Sequence, residues 1–250
     1  MIRSYELKLL RAEHHIMECE RLVFAWIADE GYRVIQKTNS KGRSELLAEM
    51  LKEIPWEIPL SIGDAIHCLR DSLDHLAFDL AVSGSPTLTE KQERMIQFPI
   101  RKTIVEVGDR RIAPMSIDAQ KAVIGLLPDP TGNQFRHHPL WLLNEMNNCD
   151  KHRRISIVVA SSYVGSLSIS ASNGSDYFHI IDPARPVIGG GPIVFLEFSR
   201  SPHVKADIAF TTQIEFDKET DVSGKPVFLW LRSVEKHIRD VVVPALKPFL

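Results

Sequence analysis

Apolar positions recur at helical spacing from residue 4 to about residue 30: Leu9 and Leu10, Ile16 and Met17, then Val23, Phe24 and Ile27. This predicts a long amphipathic helix with Arg11, Glu18, Arg21 and Asp29 on its wet face. Gly31 ends it, and YRVIQKT followed by NSKG predicts a strand running into a turn. SELLAEMLKEI combines strong helix formers without a clean period and stops at Pro55 and Pro59, so residues 44–54 read equally as a short helix or a returning strand. The strongest periodicity follows, from Pro59 to Val82. There Ile62, Ile66, Leu69, Leu73, Leu76, Ala77 and Leu80 gather on one side of a helix, while Asp64, His67, Asp71 and His75 fall on the other.

After Val82, SGSPTLTEKQERM reads as a polar surface loop and QFPI as its buried anchor, whereas residues 103 to 113 show no decisive pattern. Ser116 or Asp118 starts a helix that Pro128 stops, with Ile117, Val123, Ile124 and Leu127 expected inside. DPTGNQF is a turn. Pro139 opens another helix, with Leu140, Leu143 and Met146 on its apolar face and Asn144, Asn147, Asn148, Asp150, Lys151, His152 and Arg153 crowded towards its end. From Ile155 the period changes: ISIVVASS, SLSISA, DYFHII, PIVFLEF and KADIAFTTQIEF are β-type runs, which predict an antiparallel meander of about four or five strands. FLWLRSVEKHIRDVVVPAL then finishes the chain as a helix with Leu231, Val234, Ile238 and Val241 inward, ended by Pro244 and Pro248.

The fold class this implies is α+β in a single domain spanning residues 1–250. A mainly helical part (1–154) holds the candidate site, a β meander covers 155–224, and a C-terminal helix (225–250) closes the bundle. Hydrophobic residues make up 44% of the 250 and charged residues 25%, which is globular composition. The formal net charge of −2 gives no global attraction to nucleic acid, so such a partner would need a local basic patch. Cys19, Cys68 and Cys149 are odd in number and lack CxxC spacing, which argues against a disulfide framework. With no signal-peptide core and no apolar run of transmembrane length, a cytoplasmic protein without membrane partner is expected.

Arg70 and His75 stand in an Arg-x4-His spacing, with Asp71 after the arginine. This resembles the motif of the higher-eukaryote and prokaryote nucleotide-binding (HEPN) domains, helical bundles of which many are metal-independent ribonucleases acting as dimers. The resemblance implies that Arg70 steadies the scissile phosphate, that His75 transfers protons, and that RNA is the partner. Guanidinium fits phosphate bidentately and imidazole titrates near neutrality, so the roles are chemically sound. Arg70 and His75 lie about 140° apart on a helix, and a second chain, in a homodimer, would bridge that gap. A broader resemblance covers residues 59 to 154 in blocks: GDAIHCLRDSLDHLAF, FPI, and HPLWLLNEMNNCDKHR. It is to a set of bacterial and phage proteins and implies kinship without a particular activity.

The candidate catalytic residues are therefore Arg70, His75 and His152, with Asp71, His67, Asn147, Asp150, Lys151 and Arg153 as binding residues and no cofactor. The alternative is a metal-dependent hydrolase in which Asp64, His67, Asp71 and His75 hold a divalent metal, completed by Asp150 or His152. A third reading is a non-catalytic interaction protein, in which Asp and His brace neighbouring helices and Arg70 is a buried ion-pair partner, for instance of Asp150. His14 and His15, beside Glu13 and Glu18, read either as solvated or helix-packing residues or as a metal-ligand pair, and spacing dictates no third ligand for the latter. The residues leave open whether the chain is an enzyme.

Overall fold

The structure is a computed structural model that describes residues 2–29, 32–38, 43–50, 52–152, 157–170, 178–180, 193–199, 205–216 and 221–250. The first two elements to set are α1 (Ser4–Ala28) and, beyond the hairpin β1 (Tyr32–Thr38) and β2 (Arg43–Met50), the central helix α2 (Glu57–Gly84). The ambiguous stretch is thus a returning strand, Tyr32 lying opposite Met50 in antiparallel register. All seven apolar residues expected on the inner side of α2 are buried to within 1%. They face the buried seam of α1, formed by Tyr5, Leu9, Ala12, Ile16, Cys19, Val23 and Trp26. That seam repeats at alternating steps of four and three, the spacing of a coiled-coil contact.

Of the seven apolar residues expected inside on α1, three are buried, Ile27 is partly buried against the core, and three are not. Leu9, Ile16 and Val23 are buried, but Leu10, Met17 and Phe24, each one residue on, are exposed. One residue turns a helix by about 100°, enough to carry a side chain from the seam to the outside.

The loop after α2 carries a short helix, α3 (Glu90–Glu93), and then Phe98, Pro99 and Ile100 sink into the core as expected. Residues 103 to 113, patternless in sequence, are held by a side chain from the next helix, α4 (Ile117–Gly125). Gln120 is buried there, donates to the carbonyls of Ala113 and Met115 and accepts from the Gly108 N–H. Ser116 caps α4, its hydroxyl accepting from the Ala119 N–H. Ile117, expected inside, is exposed, and Ala119, Gln120 and Val123 take the inner face. α5 (Pro139–His152) follows and buries Leu140, Trp141, Leu142, Leu143 and Met146.

The α+β expectation is corrected here. The core is predominantly helical, and among the described residues there is no antiparallel β meander. The backbones of β3 (Ile157–Ser170), β4 (Phe178–Ile180), β5 (Ile193–Ser199) and β6 (Lys205–Phe216) do not pair in chain order: β3 runs against β6, and β5 runs between β4 and the early strand β2. Alternating side chains specify extended backbone and a wet face, but not which strand becomes the neighbour. What closes the chain is α6 (Val227–His237), continued by a π-helical turn at Ile238–Val242, a last helical turn α7 (Val243–Leu246) and a 3-10 turn to Phe249. The wider turn moves the buried position from Val241, which is exposed, to Val242. It ends two residues before Pro244, which lacks an N–H and crowds the preceding turn, so the helix adapts to the proline and runs on to Leu246.

α6 is tied to α1 by charge. Buried Glu235 lies 2.9 Å from Arg239 and 3.4 Å from Arg232, and these arginines reach Glu13 and Glu20 of α1, each at 3.3 Å. No helix among the described residues is long and apolar enough to cross a membrane.

Two histidines couple this packing to pH. His138 and His237 meet edge to face at 5.7 Å, and His138 Nδ1 accepts the Leu140 N–H at the start of α5. Burial lowers the pKa of both below the ordinary 6.5, with the neighbouring imidazole adding to the shift at His138. The unfolded chain therefore takes up protons first as pH falls. Their contribution to stability is complete above about pH 6.5 and is lost below it. Urea midpoints should accordingly drop between pH 7.5 and pH 5, and a His138→Asn/His237→Phe variant, which keeps a capping side chain, should show a shallower drop.

Candidate functional site

The outer face of α2 lies between two helices, and its polar column is shared between them. Towards α1, Asp71 accepts from Lys8 Nζ at 2.7 Å, an interaction that raises the lysine's pKa, and Asp64 stands 3.9 Å from His15 Nδ1. His15 itself is pushed down by burial, with Asp64 opposing. Towards α5, His67 Nε2 lies 2.8 Å from Asp150 Oδ2, both side chains partly exposed. His75 is half-buried, and among the described residues no side chain makes a hydrogen bond or ion pair with it. The four residues of the column thus do not converge on one point, and among the described residues no group of three or more His, Cys, Asp or Glu is placed to hold a metal ion.

The close approach of α5 to α2 depends on Gly63. A Cβ there would stand 2.8 Å from Asp150 Oδ2 and 3.0 Å from Oδ1, so the missing side chain is what lets this carboxylate lie over α2 beside His67. A glycine in mid-helix costs roughly 1 kcal/mol relative to alanine, and that cost in an otherwise regular stretch is the sequence signal of close contact.

Arg70 is buried, and all three of its nitrogens are engaged. Nη1 donates to Asp74 Oδ1 at 2.6 Å, Nη2 to the Phe98 carbonyl at 3.0 Å, and Nε to Asn144 Oδ1 at 3.3 Å. Asp74 in turn accepts the Phe98 N–H at 2.9 Å. One i, i+4 ion pair on α2 therefore clasps both backbone polar groups of a single residue, Phe98 of the FPI anchor, while the same guanidinium holds α5. The arginine is an internal brace, and its partner is Asp74 and not Asp150. Neither Asp74 nor Phe98 was singled out by the motif, although the i, i+4 spacing of Arg70 and Asp74 is legible.

Asn147 lies on α5 between Asn144 and Asp150. It is buried, and its Oδ1 has no hydrogen-bond partner among the described residues. Lys151 is exposed one residue beyond Asp150. His152 belongs to α5 by its backbone, but its side chain, like the whole of Arg153, lies outside the described residues.

The three cysteines are free thiols. Burial pushes Cys19 up to about 12 and also raises Cys68, so neither carries thiolate character at neutral pH. What the arrangement offers chemically is a partly exposed imidazole with one ring nitrogen at ion-pair distance from a carboxylate. An imidazole so placed has the ring chemistry that proton transfer near neutrality needs. No protein-family model, curated protein or solved structure matches this chain.

Proposed function

We propose that the seam between α2 and α5 is a metal-independent acid–base site acting on phosphodiesters, with RNA as the substrate class. The observation that carries this reading is the 2.8 Å approach of His67 Nε2 to Asp150 Oδ2 between two different helices. His67 transfers the proton, Asp150 orients it, and exposed Lys151 attracts the phosphate. The choice of RNA rests on the HEPN resemblance of Arg70 and His75. The roles differ from those the resemblance implies, because Arg70 is buried and each of its three nitrogens donates inside the fold.

Incubation of the purified protein with mixed RNA in EDTA tests it. Cleavage is expected, abolished by His67→Ala and strongly reduced by Asp150→Asn. Intact RNA, or equal cleavage by wild type and His67→Ala, would remove the proposal. Loss on His75→Ala alone would return the proton-transfer role to His75, and cleavage only with added divalent metal would favour the hydrolase alternative. A second reading, a non-catalytic interaction protein, is favoured by the complete internal engagement of Arg70 and predicts no cleavage under any condition.

A further inference from the structure

α1 carries a second seam. Leu7, Leu10, His14, Met17, Arg21 and Phe24 are all exposed and follow one another at alternating steps of three and four, the same repeat as the buried seam, each lying one or two residues on from it. One residue turns a helix by about 100° and two by about 200°, so the mean directions of the two seams differ by about 160° and they lie on nearly opposite sides of α1. The inner one packs on α2. The outer one presents four large apolar side chains, each between 48% and 68% exposed, on a helix already anchored on its other face.

We propose that the outer seam of α1 pairs with the same seam of a second copy of this chain, antiparallel, about a two-fold axis through the middle of the helix. The repeat of about 3.5 residues is that of a helix made to pack along its length against another. Antiparallel pairing sets Leu7 against Phe24, Leu10 against Arg21 and His14 against Met17 of the second copy, so every layer meets at least one apolar side chain. Parallel pairing would set Arg21 against Arg21 and His14 against His14, stacking like groups in the seam.

The flanks agree in charge. On one flank, Arg11 falls beside Glu18 of the second copy, a carboxylate that Arg21 of its own helix already meets at 2.6 Å and that would share its charge between the two arginines, and the two-fold axis repeats that contact. On the other, the acids that would repel across the axis, Glu13 and Glu20, are each already met by an arginine of α6. The second copy is also the occupant whose seam is complementary by construction, since a two-fold interface uses the same patch twice.

Size-exclusion chromatography with light scattering, over a concentration series, should give the mass of two chains. Met17→Glu puts a carboxylate into the central layers and should raise the dissociation constant at least about tenfold, while far-UV circular dichroism and the thermal melt of the subunit stay as in wild type. Phe24→Ser, at the end of the seam, should weaken pairing without a buried charge. Arg11→Glu should also weaken it, and the double exchange Arg11→Glu/Glu18→Arg should recover most of the loss. A single-chain mass at every concentration overturns the proposal, as does a dimer indifferent to Met17→Glu and Phe24→Ser, or an open-ended assembly. Failure of the double exchange to recover what Arg11→Glu loses overturns the antiparallel register.

Discussion

Replacing Arg70 with alanine should destabilise the chain by about 3 kcal/mol, the low end of what breaking a buried ion pair costs. The low end applies because Asp74, the partner left behind, has 30% of its side chain exposed and recovers some hydration. The Phe98 carbonyl, buried with its residue, loses the donor it depends on and cannot recover so easily. Asn144 is released on α5, so the damage spreads over three segments at once. Arg70→Lys keeps the charge but cannot present three nitrogens in one plane to three acceptors, and it should fall between the two. Urea unfolding followed by circular dichroism reads both variants. The result separates two roles for this residue. A phosphate ligand would be lost from activity with stability unchanged. A brace lowers the midpoint first, and activity falls only as the folded population does.

The same residue shows what could be read from the chain and what could not. The i, i+4 partner of Arg70 lies on the same helix and is a matter of counting. The Phe98 backbone that both side chains clasp belongs to an apolar run that could be recognised as buried, but nothing in its sequence says which polar groups meet it. The contact of His67 with Asp150 required two polar clusters, far apart in the chain, to face each other. Their joint occurrence suggested the contact, and its distance depends on Gly63 letting α5 come close. By contrast, the polar column of α2 looked like one constellation because helical angles show direction without showing neighbours. Two of its members turned to Lys8 and His15 of α1, and one to α5.

Helices were legible where one period dominated. α1 was legible as a helix but not as to which apolar residues it buries, because it carries two seams of the same repeat and both satisfy the pattern. The strands were legible as extended segments, whereas their partners were not, since β2 meets β5 across most of the chain. Residues 103–113 had no period to read because single polar contacts set their order: from outside, the amide of Gln120 and Arg101, which pairs with Asp109 at 2.7 Å, and from within, Asp109 itself, which accepts from the Arg111 N–H.

Gly84→Ala should cost about 3 kcal/mol, the upper part of the range for forcing extra atoms into a packed site. The residue is solvent-exposed and ends α2, so burial alone would predict a mild change or even a gain from better helix propensity. The geometry decides otherwise. An added Cβ would stand 2.5 Å from the Ser116 nitrogen, 2.7 Å from the Pro114 oxygen and 2.8 Å from the Met115 carbonyl carbon. All three are backbone atoms, so no side chain can swing aside. The segment they belong to is pinned from the other side as well: Gln120 holds the Ala113 and Met115 carbonyls, and Ser116 caps α4. Moving it loosens those bonds, which is why the cost should exceed that of the contact itself. Gly125→Ala is the control, because a Cβ there meets nothing within 4 Å and should stabilise by about 0.5 kcal/mol through helix propensity alone. Urea midpoints that fall for Gly84→Ala and hold or rise for Gly125→Ala, at equal m-values, are the expected result. Equal behaviour of the two variants would mean that the end of α2 does not press on the 114–116 backbone.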